Sequence, residues 1–176
     1  MVRPDEEVEA LLQEDADLIA ITGGEAFKAR LRKGRPLDRR LLATARGDPQ
    51  VKALTQLPGV GTLTALMIVA EVGDITRFPS ARKLAAWAGL TPTVRGSDLT
   101  VRHGHISKQG SDWLRWILCE AAQTAKRCPE FADAYQRLAH RRGKKIATTA
   151  IARRLLARAY HVLRAVQDRQ DRQGTR

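Results

Sequence analysis

Leu57-Pro-Gly-Val-Gly61 closes one apolar helical pattern, carried by Val51, Leu54 and Leu57, and a second opens at once at Thr62-Leu-Thr-Ala-Leu-Met-Ile-Val-Ala70. Two helices joined by so short a breaker fold back on each other, which commits this part of the chain to helix-on-helix packing. Further breakers recur at Gly23-Gly24, Gly34-Arg-Pro36, Gly47-Asp-Pro49 and Val72-Gly73-Asp74, between segments with helical spacing. Ser80 is placed to cap a helix over 81–88, ended by Gly89. Helix resumes after Gly110, where Trp113, Ile117 and Ala121 lie four apart with Leu114, Leu118 and Ala122 beside them. Pro129 opens another, and Arg141-Arg-Gly-Lys-Lys145 leads to a last long one from Ile146 to about Gln167. Leu and Ala dominate the apolar set and only eight residues are aromatic, a balance that favours helix. The expected fold is mainly α: a helix-hairpin-helix element, an irregular or short-hairpin loop, then a helical bundle.

The loop is the exception to the helical pattern. Thr91-Pro-Thr-Val-Arg-Gly-Ser-Asp-Leu-Thr-Val-Arg-His-Gly-His105 has no helical period, two glycines, several β-formers and four basic or imidazole side chains. A stretch of that length between helices is ordinarily functional or disordered.

Charge is divided unevenly. Residues 1–94 hold 13 Lys/Arg against 12 Asp/Glu, and residues 95–176 hold 18 against 7, so nets of +1 and +11 make up the formal +12. A basic excess gathered in one half is the electrostatic footprint of a polyanion partner; a solvated Arg-rich helix surface would look the same from composition alone. The glycine turn adds to the polyanion reading. Gly59 and Gly61 let a phosphate approach backbone amides, and a helix starting at Thr62 aims its unpaired N–H groups and positive dipole end at that anion. Gly59, Val60, Gly61 and Thr62 are therefore candidate phosphate contacts, which would position DNA without choosing sequence. The alternative is a hairpin of helices whose glycines only shorten the turn.

Several classes are disfavoured. No apolar run approaches the ~20 residues of a membrane span. Met1-Val-Arg-Pro-Asp-Glu-Glu is acidic, with no apolar core behind it, unlike a secretory signal, so a cytoplasmic protein is expected. Cys119 and Cys128 lack zinc-site spacing and read as small buried hydrophobes. His103 and His105 without a third ligand make a weak metal pair.

The run from Leu57 to Arg115 resembles the bacterial insertion-sequence transposases related to the Piv and MooV DNA invertases, some of which use a bridge RNA to choose their DNA sites. The resemblance rests on Leu57-Pro-Gly-Val-Gly61, Glu71-Val-Gly-Asp-Ile-Thr-Arg-Phe78, Leu84-Ala-Ala-Trp-Ala-Gly-Leu-Thr-Pro92, and Gly104-His-Ile-Ser-Lys-Gln-Gly110 with Leu114-Arg115, in the family's order and near its spacing. It implies an enzyme of two parts: an amino-terminal RNase H-like domain with four acidic metal ligands, and a carboxy-terminal domain supplying a nucleophilic serine. That serine attacks a DNA phosphodiester and conserves the bond's energy in a covalent link. The resemblance places it at Ser97, where the chain differs from the family in having Asp98, not Gly, next. It also implies Mg²⁺ in the complete enzyme, none being assigned to this chain, and as partners DNA, a guide RNA, and self-association or an RNase H-like partner domain. About 50 residues precede the glycine turn, too few for such a domain, so a truncated transposase or separately encoded fragment is expected.

Around Ser97, Arg95, Arg102, Lys108 and Arg115 are candidate phosphate contacts; for Lys108 and Arg115 a solvated helix start is the competing reading. Ser107 and Ser111 are rival serines that an N-cap role would explain. Trp87 and Trp113 read as core, and Trp116 stays undecided. The expected organisation is a helical arm or linker over 1–49, a helix-hairpin-helix DNA-binding region over 50–92, a basic transposase-type helical region with the serine loop over 93–168, and a disordered tail over 169–176. A non-catalytic helix-hairpin-helix DNA-binding module is the alternative to a transposase part.

Overall fold

The computed structural model describes residue 43 and residues 45–97 and 100–174. The arm expected over residues 1–49 therefore lies almost wholly outside the described residues. In chain order the elements are α1 (Pro49–Leu54), α2 (Thr62–Val72), a 3₁₀ turn (Ile75–Arg77), α3 (Ala81–Trp87), β1 (Pro92–Ser97), β2 (Thr100–Ile106), α4 (Asp112–Ala125), α5 (Pro129–Arg142) and α6 (Lys144–Gly174). The mainly α expectation holds, and among the described residues the strands form a two-stranded antiparallel hairpin.

Local chemistry fixes the helix starts. Asp48 accepts from the amides of Gln50 and Val51, with Pro49 at the first position of α1. Ser80 accepts from the Lys83 amide and Ser111 from the Leu114 amide, so both serines cap the helices that follow them. Pro129 opens α5. Each cap satisfies a donor that a helix otherwise leaves open.

α6 organises the rest. Its buried residues Ala147, Ile151, Ala152, Leu155, Leu156, Ala159, Tyr160 and Leu163 recur at three- and four-residue steps, which draws one apolar seam along the helix. Against it pack α1, α3, α4, α5 and the 3₁₀ turn, while α2 rests on α1 and α4. Burying a Leu or Ile side chain stabilises by roughly 1.5–3 kcal/mol, and Leu54, Ile68, Leu84, Leu114, Leu118, Ile151, Leu155 and Leu156 are all essentially sealed. The helix continues to Gly174, past the Gln167 where its apolar period ends. The tail expected to be disordered is thus helical over 169–174, with Gln167 donating to Asp171 one turn on at 3.0 Å.

The aromatic residues divide differently from the expectation. Trp87 and Trp116 pack partly buried on the core, whereas Trp113 is half-buried and meets Trp116 edge-on at 5.9 Å between centroids. Arg77 lies over both Phe78 and Trp87, at 4.6 and 4.7 Å from the ring centroids. Cys119 and Cys128 are free thiols and half-buried; burial pushes the Cys119 thiol up from its ordinary pKa, with the Glu120 charge adding to it.

Candidate functional site

The hairpin carries the serine. Its register pairs Val94 with His103, Arg95 with Arg102, Gly96 with Val101 and Ser97 with Thr100, with an irregularity between Pro92 and Val94. Ser97 closes the far end of the ladder, two rungs beyond the Arg95–Arg102 pair. Pro92, Thr93, Val94, Gly104 and His105 are exposed, and among the described residues the strands' extensive contacts are with each other.

Its base is where it joins the helices. The Ser107 amide donates to the Thr91 carbonyl at 2.9 Å and the Lys108 amide to the Gly89 carbonyl at 3.2 Å. Ser107 is thus a backbone closure of the hairpin, not the N-cap expected for it. The two legs cross closely: a Cβ on Gly89 would lie 2.1 Å from the Gln109 carbonyl oxygen, and one on Gly110 would lie 2.0 Å from that of Trp87. Lys108, alone among the described non-glycine residues, has a positive φ, at 55°, and its side chain is exposed. Such backbone outliers concentrate at functional sites.

Arg115 departs from both expectations, the phosphate contact and the solvated helix start. It is only 8% exposed. Its guanidinium donates to the carbonyl of Ala88 at 3.3 Å, of Gln109 at 3.3 Å and of Gly110 at 3.0 Å, and it pairs with Asp112. Charge alone could not report this, because an exposed and a buried arginine read identically in sequence. The usable signal was the pair Gly89 and Gly110, two glycines bracketing the non-helical stretch.

The glycine turn divides into parts with different roles. Gly59 has φ 75°, and a Cβ there would meet the Ala121 carbonyl oxygen at 2.4 Å. Its missing side chain is explained by close packing on α4. Val60 is buried, and its amide is already bonded to the Leu57 carbonyl at 3.1 Å. Gly61 is different: it is exposed, a Cβ on it would meet nothing, and it stands as N-cap of α2 with no side-chain cap. Thr62 begins α2, half-buried. The positions open to an anion are therefore Gly61 and Thr62.

The structure does not gather all the candidates at one point. The turn seats on Ala121 and Ala125 while the hairpin base seats near Arg115. At 1.5 Å per residue these lie roughly 9–15 Å apart along α4. A third basic locus is the junction of α5 and α6, where His140, Arg141, Arg142, Lys144 and Lys145 are all exposed around Gly143. Among the described residues no group of three His, Cys, Asp or Glu could hold a metal ion, so they do not fit a magnesium site. Nor, among them, is any helix long and apolar enough to cross a membrane.

Comparison with known proteins finds transposases and a gene-inverting protein among the relatives. The "Probable family 20 transposase" of Pseudomonas aeruginosa is 36% identical over 92 residues, 52% of this chain and 27% of that protein. The "Transposase for insertion sequence element IS1111A" of Coxiella burnetii is 38% identical over 87 residues, 49% of this chain and 24% of that protein. The "Pilin gene-inverting protein" of Moraxella bovis is 32% identical over 115 residues, 63% of this chain and 36% of that protein. The chain thus spans about a quarter to a third of the relatives' lengths. Residues 51–136 match the family model described as "Transposase IS116/IS110/IS902 family", which covers α1 through the first half of α5. Over those residues the chain is similar to the transposases of the IS116/IS110/IS902 family.

Proposed function

We propose that this chain is the DNA-handling, serine-bearing part of a transposase, in which Ser97 attacks a DNA phosphodiester. The serine oxygen forms a bond to phosphorus and gives up its proton, and one strand oxygen leaves and takes up a proton. The number of phosphoester bonds is unchanged, so a second strand end can displace the serine without an external energy source. The observation that carries the reading is the place of Ser97 at the far end of the hairpin's ladder, two rungs from the Arg95–Arg102 pair. Cations beside a reacting phosphate stabilise the charge that develops there. Lys108 at the hairpin base and Gly61 and Thr62 at the start of α2 supply further phosphate contacts. No step is assigned to magnesium within the described residues. The acidic groups that would hold it belong to an RNase H-like domain outside them, and a guide RNA would choose the target.

A chimera carrying the amino-terminal domain of a family member tests this. Trapped on nicked DNA and digested, it should yield a nucleotide adduct on the peptide holding Ser97, absent from Ser97→Ala and more abundant in Asp98→Gly. An adduct on Ser107 or Ser111, or one that persists in Ser97→Ala, overturns the assignment.

A second reading, a DNA-binding module without chemistry, is favoured by one observation: the uncapped, open start of α2 at Gly61. It requires duplex binding and no adduct from the same chimera.

A further inference from the structure

We propose that Arg115 is the positioning residue of the serine hairpin: it sets the angle at which both strands leave the helical bundle. The inference rests on Ser97 as nucleophile, and deepens that reading by naming what aims it.

Among the described residues the extensive contacts of the two strands are with each other, and the hairpin joins the helices at its base. There the chain leaves α3 through Ala88 and Gly89, and returns through Lys108, Gln109 and Gly110 into α4. One terminal nitrogen of Arg115 reaches a carbonyl of the outgoing leg, Ala88, and two of the returning leg, Gln109 and Gly110. The ion pair with Asp112, one turn earlier on α4, anchors the guanidinium to the helix that presents it. Ala88 is also the C-cap of α3, where the helix dipole favours a cation.

Each of these three bonds is to a backbone carbonyl, so the clamp acts on the course of the chain and not on any one side chain. The crossing beneath it is already as tight as glycine permits, since a Cβ on Gly89 or Gly110 would overlap backbone of the opposite leg. Glycine allows the approach and Arg115 holds it. With its charge committed to the fold and only 8% of its surface exposed, Arg115 is poorly placed to meet a phosphate. A lysine in its place keeps the charge but loses the planar fork with several donors in fixed directions.

The test compares Arg115→Lys and Arg115→Met with the parent chain by hydrogen exchange resolved to single amides. Loss of hydrogen bonds to a charged group should speed exchange of the Val94, Arg95, Arg102 and His103 amides by about tenfold or more. The amides of Leu118, Leu155 and Leu156 should keep the parent's protection. If Arg115→Met does not fold, Arg115→Lys carries the comparison. Duplex affinity should stay within about twofold, whereas removing a cation that neutralises a phosphate would lower the salt slope by roughly 0.9. In the chimera, the rate of Ser97 adduct formation at saturating DNA should fall by about tenfold or more in Arg115→Lys, as misaimed reacting groups require.

Equal acceleration in hairpin and core would make Arg115 a general stability residue and overturn the proposal. So would unchanged hairpin exchange with weakened, less salt-dependent DNA binding. Faster hairpin exchange with an adduct rate equal to the parent's would overturn the positioning role too. If instead the parent chimera itself gives no adduct, the serine reading fails, while the exchange data still decide whether Arg115 is the clamp.

Discussion

The hydroxyl of Tyr160 donates to the carbonyl oxygen of Phe78 at 3.1 Å, across 82 positions of sequence, and both residues are buried. This bond joins α6 to the residue that follows the 3₁₀ turn. Tyr160→Phe leaves that carbonyl buried without its donor, which costs about 1–3 kcal/mol. Urea unfolding should show the loss as a lower midpoint with an unchanged slope, and affinity for duplex DNA should not move.

The two glycines of the turn should separate under mutation. Gly59→Ala forces a side chain into a left-handed residue and against the Ala121 carbonyl, so it should destabilise by about 1–3 kcal/mol or more. Gly61→Val enters open space on extended backbone and should cost no more than about 1 kcal/mol as a poorer N-cap. Its affinity for unrelated duplexes should nevertheless fall equally, because it shields amides that read phosphate and not bases. Loss confined to one DNA sequence would contradict the phosphate reading. Thermal melts and fluorescence anisotropy on several duplexes measure both effects.

Binding to DNA should be steeply salt-dependent. Six to ten neutralised phosphates cost roughly 10³–10⁵ in affinity between 50 and 200 mM salt. Changing Arg141, Arg142, Lys144 and Lys145 together to Gln should reduce the slope by about 0.9 for each phosphate that is no longer neutralised. A slope unchanged in that variant would show that the junction of α5 and α6 does not meet DNA.

Asp74 ties part of the stability to pH. A hydrogen bond from the Thr76 hydroxyl, then one from the Thr76 amide, holds its carboxyl below the usual value, with Arg164 and Arg77 assisting. A carboxylate whose folded pKa is depressed stabilises fully above its unfolded pKa and loses that contribution as pH falls through the folded value. Stability of the parent should therefore decline into the acid range more steeply than that of Asp74→Asn. Urea midpoints measured at neutral and acid pH check the difference; parallel curves would remove Asp74 from the explanation.

The parts of this fold that were legible in sequence are those governed by near neighbours. Ser80, Ser111 and Pro129 mark helix starts because a cap or a proline acts within one turn, and the apolar seam of α6 shows in its spacing. What was illegible depends on residues distant in sequence. Gly59 looked like an opening for phosphate because nothing nearby announces Ala121 beneath it. Arg115 looked like a surface cation because its three carbonyls lie on two separate segments. The helical end of α6 was hidden for a different reason: polar residues without an apolar period can continue a helix already nucleated by the packed turns before them. Ser97 itself came from family resemblance, since a serine between glycine and aspartate is otherwise an ordinary turn residue.

A hairpin clamped at its root is a lever. From Pro92 to Ser97 the strand extends roughly 17 Å at 3.3 Å per residue. A tilt of about 10° at the root would then carry the tip about 3 Å sideways, close to the whole separation of reacting atoms poised to combine. Aim at the tip is thus set by angular error at the crossing of Gly89 and Gly110. The accuracy demanded of those few backbone atoms is greater than that demanded of the serine's own neighbours.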